Sequence, residues 1–353
     1  MTNRSKEKVK LAIIGCGAIT QERYLPAVEL IPHLDITHVV DLDQERARQI
    51  ASLFQIPNYA HDYRQVLSQV DAVVVATPPS SHAPISIHCL EQGLPVLCEK
   101  PLAPSVEQAQ AMIAASQQTH TILAVGMIRR TSSSSQLLRR LVQTGILGDI
   151  QRFDVEEGHE FNWPLRTGHI FQDKKAGGVL ADTGTHILDL VLWTFGSQRA
   201  QLFSYKDDSW GGVEMNAILE LAIEWRGKQT PGKIELGFTR KLRNTLRIHG
   251  DKGYLEASVL GSPQVLFYPN HENDKPIIMT PHNTKPRDMV ERFALQLLDF
   301  SDAILNNSNN YASADQAIPV IDMVEQCHHS RKRMVQPWEM KHLESFFGSK
   351  SNE

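Results

Sequence analysis

The sequence predicts an α/β protein in two parts: a doubly wound parallel sheet, then an α+β domain with a large, mostly antiparallel open sheet. Short β-rich runs alternate with amphipathic helical stretches from residue 9 to about 127, the pattern of βαβ units. From Ile150 the extended runs lengthen and follow one another without helices between them. A chain of 353 residues, 41% apolar and 22% charged, exceeds one ordinary core and suits two.

Val9 to Ile14 is the first buried strand, too short an apolar run for a signal segment. Ile36 to Val40, Asp71 to Ala76, Pro95 to Cys98 and Ile122 to Val125 continue the parallel series. Helices are expected between them at Gln21 to Ile31, Gln44 to Phe54, Ser81 to Gln92 and Ser105 to Thr119. The polar string Thr131 to Ser135, after Arg129 and Arg130, ends this regularity and reads as a solvated loop or a helix start. A boundary there gives domains 1–128 and 129–353. The second should hold strands at Gln151 to Glu160, Gln201 to Tyr205, Val213 to Glu224, Lys233 to Thr239, Thr245 to His249 and Gln264 to Tyr268. Two closing helices, Arg287 to Leu305 and Ala314 to Arg333, can pack back on the first domain.

A net charge of -4 gives no basic excess for nucleic acid, and no run approaches the ~20 apolar residues of a membrane span. Cys16, Cys89, Cys98 and Cys327 show no CxxC spacing, so neither a zinc site nor a disulfide framework is expected, and a reducing cytoplasm is the default.

Gly15-Cys16-Gly17 follows the first strand and, with Ala18 and Ile19, opens a helix. The first glycine permits a tight turn, and the second lets a pyrophosphate approach the backbone at a helix N-terminus. Thr20 holds the third glycine position, so the loop alone fits a plain βα turn equally well. Asp41 ends the second strand near the ~20-residue spacing at which a carboxylate bonds an adenosine ribose. A negative charge there repels a 2′-phosphate, so NAD is expected over NADP. Asp43 reads as the cap of the next helix. Thr77-Pro78-Pro79 and Glu99-Lys100-Pro101 follow later strands and emerge at the same carboxyl edge, where ligands of open α/β sheets bind.

Asp182, His186 and Asp189 stand at i, i+4 and i+7 of an otherwise apolar helix, one stripe of ionisable groups. Such groups are costly to bury unpaired, so the stripe asks for chemistry. A metal site lacks a further Cys or His cluster to complete it, and no metal is expected. With a dinucleotide domain, His186 reads as general base, Asp182 as its orienter or a substrate holder, and Lys100 as the group polarising the reacting oxygen.

These motifs, together with His82 and the run Gly177 to Asp189, resemble the Gfo/Idh/MocA oxidoreductases, named for glucose-fructose oxidoreductase, inositol dehydrogenase and a rhizopine-catabolism protein. The resemblance covers Val9 to Gly196 by motif. It implies an NAD-binding Rossmann domain, then a domain for substrate binding and assembly into a homodimer or homotetramer through its open sheet. It also implies hydride transfer at a ring carbon of a sugar, cyclitol or sugar derivative. The implied catalytic set is Lys100, Asp182 and His186; the cofactor set is Gly15, Gly17, Ala18, Ile19, Asp41, Thr77, Pro78, His82, Glu99 and Lys100. Arg129, at the domain crossing, and Asn162, Trp163 and Arg166 would join Asp182 and His186 around the substrate; the alternative is a packed Trp163-Pro164 turn with solvent-facing charges. The same fold also serves a non-catalytic regulator, which would not need the Lys100, Asp182 and His186 relay. Biliverdin reductase or dihydrodiol dehydrogenase chemistry would require a flatter, more apolar pocket.

Overall fold

The computed structural model describes residues 8–164, 168–173, 177–209, 212–270, 275–281, 288–306 and 312–335. Six parallel strands form the first sheet: β1 (Val9–Ile14), β2 (Leu34–Val40), β3 (Asn58–Ala60), β4 (Ala72–Val75), β5 (Val96–Cys98) and β6 (Leu123–Val125). Their order is β3-β2-β1-β4-β5-β6, so the chain reverses direction across the sheet between β1 and β4. That switch leaves a crevice at the carboxyl ends of the strands. Helices α1 (Leu25–Val28), α2 (Gln44–Leu53), α3 (His82–Glu91) and α4 (Val106–Thr119) supply the crossovers. Asp43 caps α2 by accepting the Arg46 backbone N–H at 3.1 Å. The three-residue edge strand β3 was not expected from the sequence.

Helix α5 (Ser133–Thr144) crosses to the second half. Its serines are not solvated: Ser132 to Ser135 are all buried, and the Ser132 and Ser134 hydroxyls bond each other at 2.9 Å. The second sheet contains β7 (Ile150–Gly158), β8 (Ala200–Asp207), β9 (Asn216–Trp225), β10 (Lys228–Gly237), β11 (Thr245–Gly250), β12 (Gly253–Ser258), β13 (Val265–Pro269), β14 (Ile277–Met279) and β15 (Lys332–Arg333). Its pairs are antiparallel except β7 with β10 and β8 with β15. The short helix α6 (His169–Gln172) and the long helix α7 (Thr185–Phe195) precede β8.

One face of this sheet buries Phe153, Val155, Leu219, Leu236 and Ile248 against α5, α7 and α9 (Ile318–His329). The opposite face carries charged ladders, including Arg152 with Asp154 and Arg243 with Glu156, beside stacked Tyr254 and Tyr268 rings 4.4 Å apart. Alternation along β7 causes this, since Phe153 and Val155 point inward while Arg152, Asp154 and Glu156 point out. Helix α8 (Met289–Asn306) returns to the first sheet, where Phe293, Leu297 and Phe300 join the core of β1 and β2. Ala314, Ala317 and Ile321 fill the core on its other face.

Asp189 belongs to this framework. Its carboxylate pairs with Arg130, Nε to Oδ2 at 2.9 Å, and both side chains are about as buried as the core, at 2% and 3% exposure. Arg130 also meets Gln316 and lies over the Trp193 ring. Removing one member of such a pair leaves a charge buried without its partner. Asp189→Asn should therefore lower unfolding free energy by about 3 kcal/mol or more, read as a shift in the urea midpoint at unchanged slope. An unshifted midpoint would show that the pair is dispensable to the fold.

Candidate active site

The crevice at the carboxyl edge is one cavity of about 820 Å³ running from Asp41 to His186. Gly15 adopts φ +106, and a Cβ there would collide with the Ala76 carbonyl, so β1 and β4 can turn outward side by side only with glycine at this position. Gly17 differs: a Cβ would meet nothing within 4 Å, and the residue lines the cavity with Ala18 and Ile19. The space in front of its backbone suits the close approach of a diphosphate. Thr20, in the third glycine position, donates its hydroxyl to the Gly15 carbonyl at 2.6 Å and is fully buried. The substitution thus braces the loop.

Asp41 lines the same cavity. Its Oδ2 accepts the Cys16 backbone N–H and its Oδ1 the Asp43 N–H, each at 2.9 Å, while the Arg46 guanidinium stands 3.4 Å away. Leu42, Arg46, His61, Tyr63 and Arg64 complete this end. Thr77 and Pro78 line the middle of the cavity. His82, expected at the cofactor, is set behind the wall. Buried in α3, it places Nδ1 2.9 Å from the Pro101 carbonyl and Nε2 2.8 Å from the Thr77 carbonyl, and so braces the two loops.

At the other end, the Lys100 Nζ binds the Asp182 carboxylate and lies 3.3 Å from the Asp182 carbonyl. The Lys100–Pro101 peptide bond is cis. Glu99 is buried beneath Lys100, with Oε1 accepting the Tyr24 hydroxyl at 2.6 Å and Oε2 accepting the Lys100 N–H at 3.1 Å. Burial raises its pKa above the ordinary carboxylate value, opposed by the Tyr24 bond and the Lys100 charge. His186 lines the cavity, yet its Nδ1 is buried without a partner among the described residues. Burial first, then the charges of Lys100, Arg129 and Arg292, hold its pKa well below the usual imidazole value.

Asp182 and His186 come together here and Asp189 does not. The segment Leu180–Gly184 is a wide turn in which the Thr185 N–H bonds the Leu180 carbonyl, five residues back. That extra width breaks the 3.6-residue period on which the stripe was read, and the Arg130 pair removes Asp189 from any metal or catalytic grouping. A second wide turn, Thr20–Tyr24, follows the glycine loop.

Of the residues expected at the substrate, Trp163 lines the cavity and Arg166 lies outside the described residues. Arg129 is instead bonded through both Nη atoms to Glu157, at 2.6 and 2.7 Å, and to the Val259 carbonyl. Asn162 is exposed away from the cavity. The cavity is lined instead by Arg23, Ile128, Pro164, Ile170, Met289 and Phe293, which motif spacing did not single out. Met289 and Phe293 come from α8, about a hundred residues after the last motif, and only the fold brings them here.

Residues 9–127 match a family model described as an oxidoreductase family with an NAD-binding Rossmann fold, and residues 135–256 match the GFO/IDH/MocA C-terminal domain. Trans-1,2-dihydrobenzene-1,2-diol dehydrogenase of Xenopus tropicalis is 25% identical, across 78% of this chain and 83% of that protein. Inositol 2-dehydrogenase 2 of Paenarthrobacter aurescens (strain TC1) is 28% identical, across 54% of this chain and 56% of that protein. The crystal structure of aldose-aldose oxidoreductase from Caulobacter crescentus shares the fold, with a TM-score of 0.80 at 22% identity over 92% of this chain and 97% of that one. With both halves matched in order and a glycine-loop crevice between them, the chain belongs to the Gfo/Idh/MocA oxidoreductases and is an NAD(P)-dependent enzyme of that family.

Proposed function

We propose that the enzyme is an NAD-preferring dehydrogenase of a ring secondary alcohol, in a sugar, cyclitol or derivative, also able to run as a reductase. The observation that carries this reading is the single cavity with Asp41 at one end and the Lys100, Asp182 and His186 group at the other. The cofactor supplies the hydride acceptor when bound. Gly17 and Asp41 hold its diphosphate and ribose, respectively. Lys100, kept in place by Asp182, donates a hydrogen bond to the substrate hydroxyl oxygen and stabilises the developing alkoxide. His186 takes the hydroxyl proton, and loss of that proton and of a hydride leaves a carbonyl. Burial and neighbouring cations keep the ring neutral, the state a proton acceptor needs.

The substrate end favours a second reading for the ring itself. Ile128, Trp163, Ile170, Met289 and Phe293 give an apolar lining, whereas Arg129 and Asn162, which argued for a polar pocket, are turned elsewhere. A partly apolar ring, as in a cyclic diol, fits this wall as well as a sugar face does. The uncovered, charged face of the second sheet is the surface for a second copy of the chain, giving a homodimer or, by repetition, a homotetramer. Four buried, unpaired thiols suit the cytoplasm. No described helix is long and apolar enough to cross a membrane.

Lys100→Ala and His186→Ala should each cut turnover on a polyol panel by ~100-fold or more with NADH affinity retained. Wild-type turnover in either variant would sink the assigned roles. Since the His186 pKa is depressed, the acid limb of kcat/KM should fall below the ordinary imidazole value of about 6.5, with full rate still present near pH 6.5. A limb at or above that value would point to a different base. Asp41→Ser should weaken NAD binding by about tenfold and admit NADP, because the carboxylate that repels a 2′-phosphate is gone and Arg46, left with Asp43 alone, can turn to meet that phosphate. Unchanged selectivity in a titration with both nucleotides would remove Asp41 from the ribose.

A further inference from the structure

Arg23 sits on the wide turn after the glycine loop and lines the cavity. Its neighbour Tyr24 bonds Glu99, the residue before Lys100, while the Arg23 guanidinium itself faces Trp163. The other described cations on the cavity wall have close carboxylate partners: Lys100 has Asp182, Arg46 has Asp41 and Asp43, and Arg64 has Asp62. Among the described residues Arg23 has only Glu22, whose carboxylate stands 3.6 Å away with its side chain 38% exposed. One Nη donates to the Glu22 carbonyl at 3.0 Å, and the buried Nε has no hydrogen-bond partner among the described residues.

The guanidinium lies over the Trp163 ring, 5.2 Å from its centroid. Stacking on an indole holds the plane of an arginine while leaving its N–H edge open to bind an acceptor. An anionic oxygen meeting the guanidinium forms a charge-assisted hydrogen bond, a closer partner than the 3.6 Å Glu22 carboxylate. Asp182 cannot serve, being engaged by Lys100. The cavity therefore joins an apolar wall, a hydride-transfer end and one under-compensated cation.

We propose that Arg23 binds a carboxylate of the substrate, so that the enzyme acts on hydroxy acids whose alcohol is on or beside a ring. The assignment rests on the dehydrogenase reading of the same cavity and narrows its substrate class. Arg23, clamped by Trp163, sets which substrates enter. Lys100 and His186 act on the hydroxyl.

The test uses two matched pairs, quinate with myo-inositol and D-glucuronate with D-glucose, titrated into the full-length enzyme saturated with NADH, and assayed for turnover with NAD. Each acid should bind about tenfold or more tighter than its neutral partner, the gain expected of a charge-assisted, paired hydrogen bond. Arg23→Met should erase that preference while leaving NADH affinity and the neutral compound's affinity within about twofold, and Arg23→Lys should restore part of it. Equal binding of acid and neutral compound by the wild type, or failure of both acids to bind, overturns the proposal. So does weakened NADH binding in Arg23→Met, which would assign the arginine to the cofactor diphosphate. Arg23-dependent acid binding without turnover would uphold the carboxylate site and overturn the dehydrogenase reading. Turnover of the neutral compounds with no acid preference would do the reverse.

Discussion

The buried carboxylate of Glu99 is the constraint on which the site depends. A carboxyl group with 8% exposure needs donors, and it finds them in the Tyr24 hydroxyl and the Lys100 backbone N–H. Tyr24 is itself reached by Gln296 of α8 at 3.1 Å, so three distant segments meet at one charge. Gly126 packs against it so closely that a Cβ would stand 3.0 Å from Oε1. Satisfying Glu99 positions the helix after the glycine loop, the loop that carries Lys100 and the return helix in a single step.

Two wide turns then aim the side chains. Thr20–Tyr24 and Leu180–Gly184 each carry one more residue per hydrogen-bonded ring than an α-helix, and each abuts the cavity. The first directs Tyr24 inward while Arg23 faces Trp163. The second presents Asp182 to Lys100 while Asp189, seven residues on, turns to Arg130. Such widening is a local cost in helix geometry that the surrounding ion pairs and packing offset.

What was legible in the sequence was local. Gly15, Gly17 and Asp41 could be read because strand, turn and carboxylate are separated by one βαβ unit, and their roles follow from backbone geometry. The parallel strands could be read because burial on both faces makes them continuous apolar runs. The stripe misled at Asp189 because its reading assumed a uniform helical period. Of the two readings of Ser132 to Ser135, the helix start holds and the solvated loop does not, because composition is silent about what packs above them. Strand β12 was missed because Gly253, Glu256 and Ala257 are poor strand formers, and its place is fixed by the hairpins it makes with β11 and β13 on either side. Arg23, Met289 and Phe293 carry no motif at all, and their place at the cavity depends on contacts across the whole chain.

The return of α8 to the first sheet has a consequence for how the protein is made. Strand β6 ends at Val125 and α8 begins at Met289, so 164 residues (289 minus 125) are added before Phe293, Leu297 and Phe300 can cover their patch beside β1 and β2. At roughly 5–20 residues per second on the ribosome, that interval lasts from about eight seconds to half a minute. Throughout it, the nucleotide-binding half is a nascent domain with an open apolar seam and Glu99 lacking its full set of neighbours. Vectorial synthesis thus makes α8 a seal, and the early half is a natural client for chaperones that shield exposed hydrophobic surface until the seal arrives.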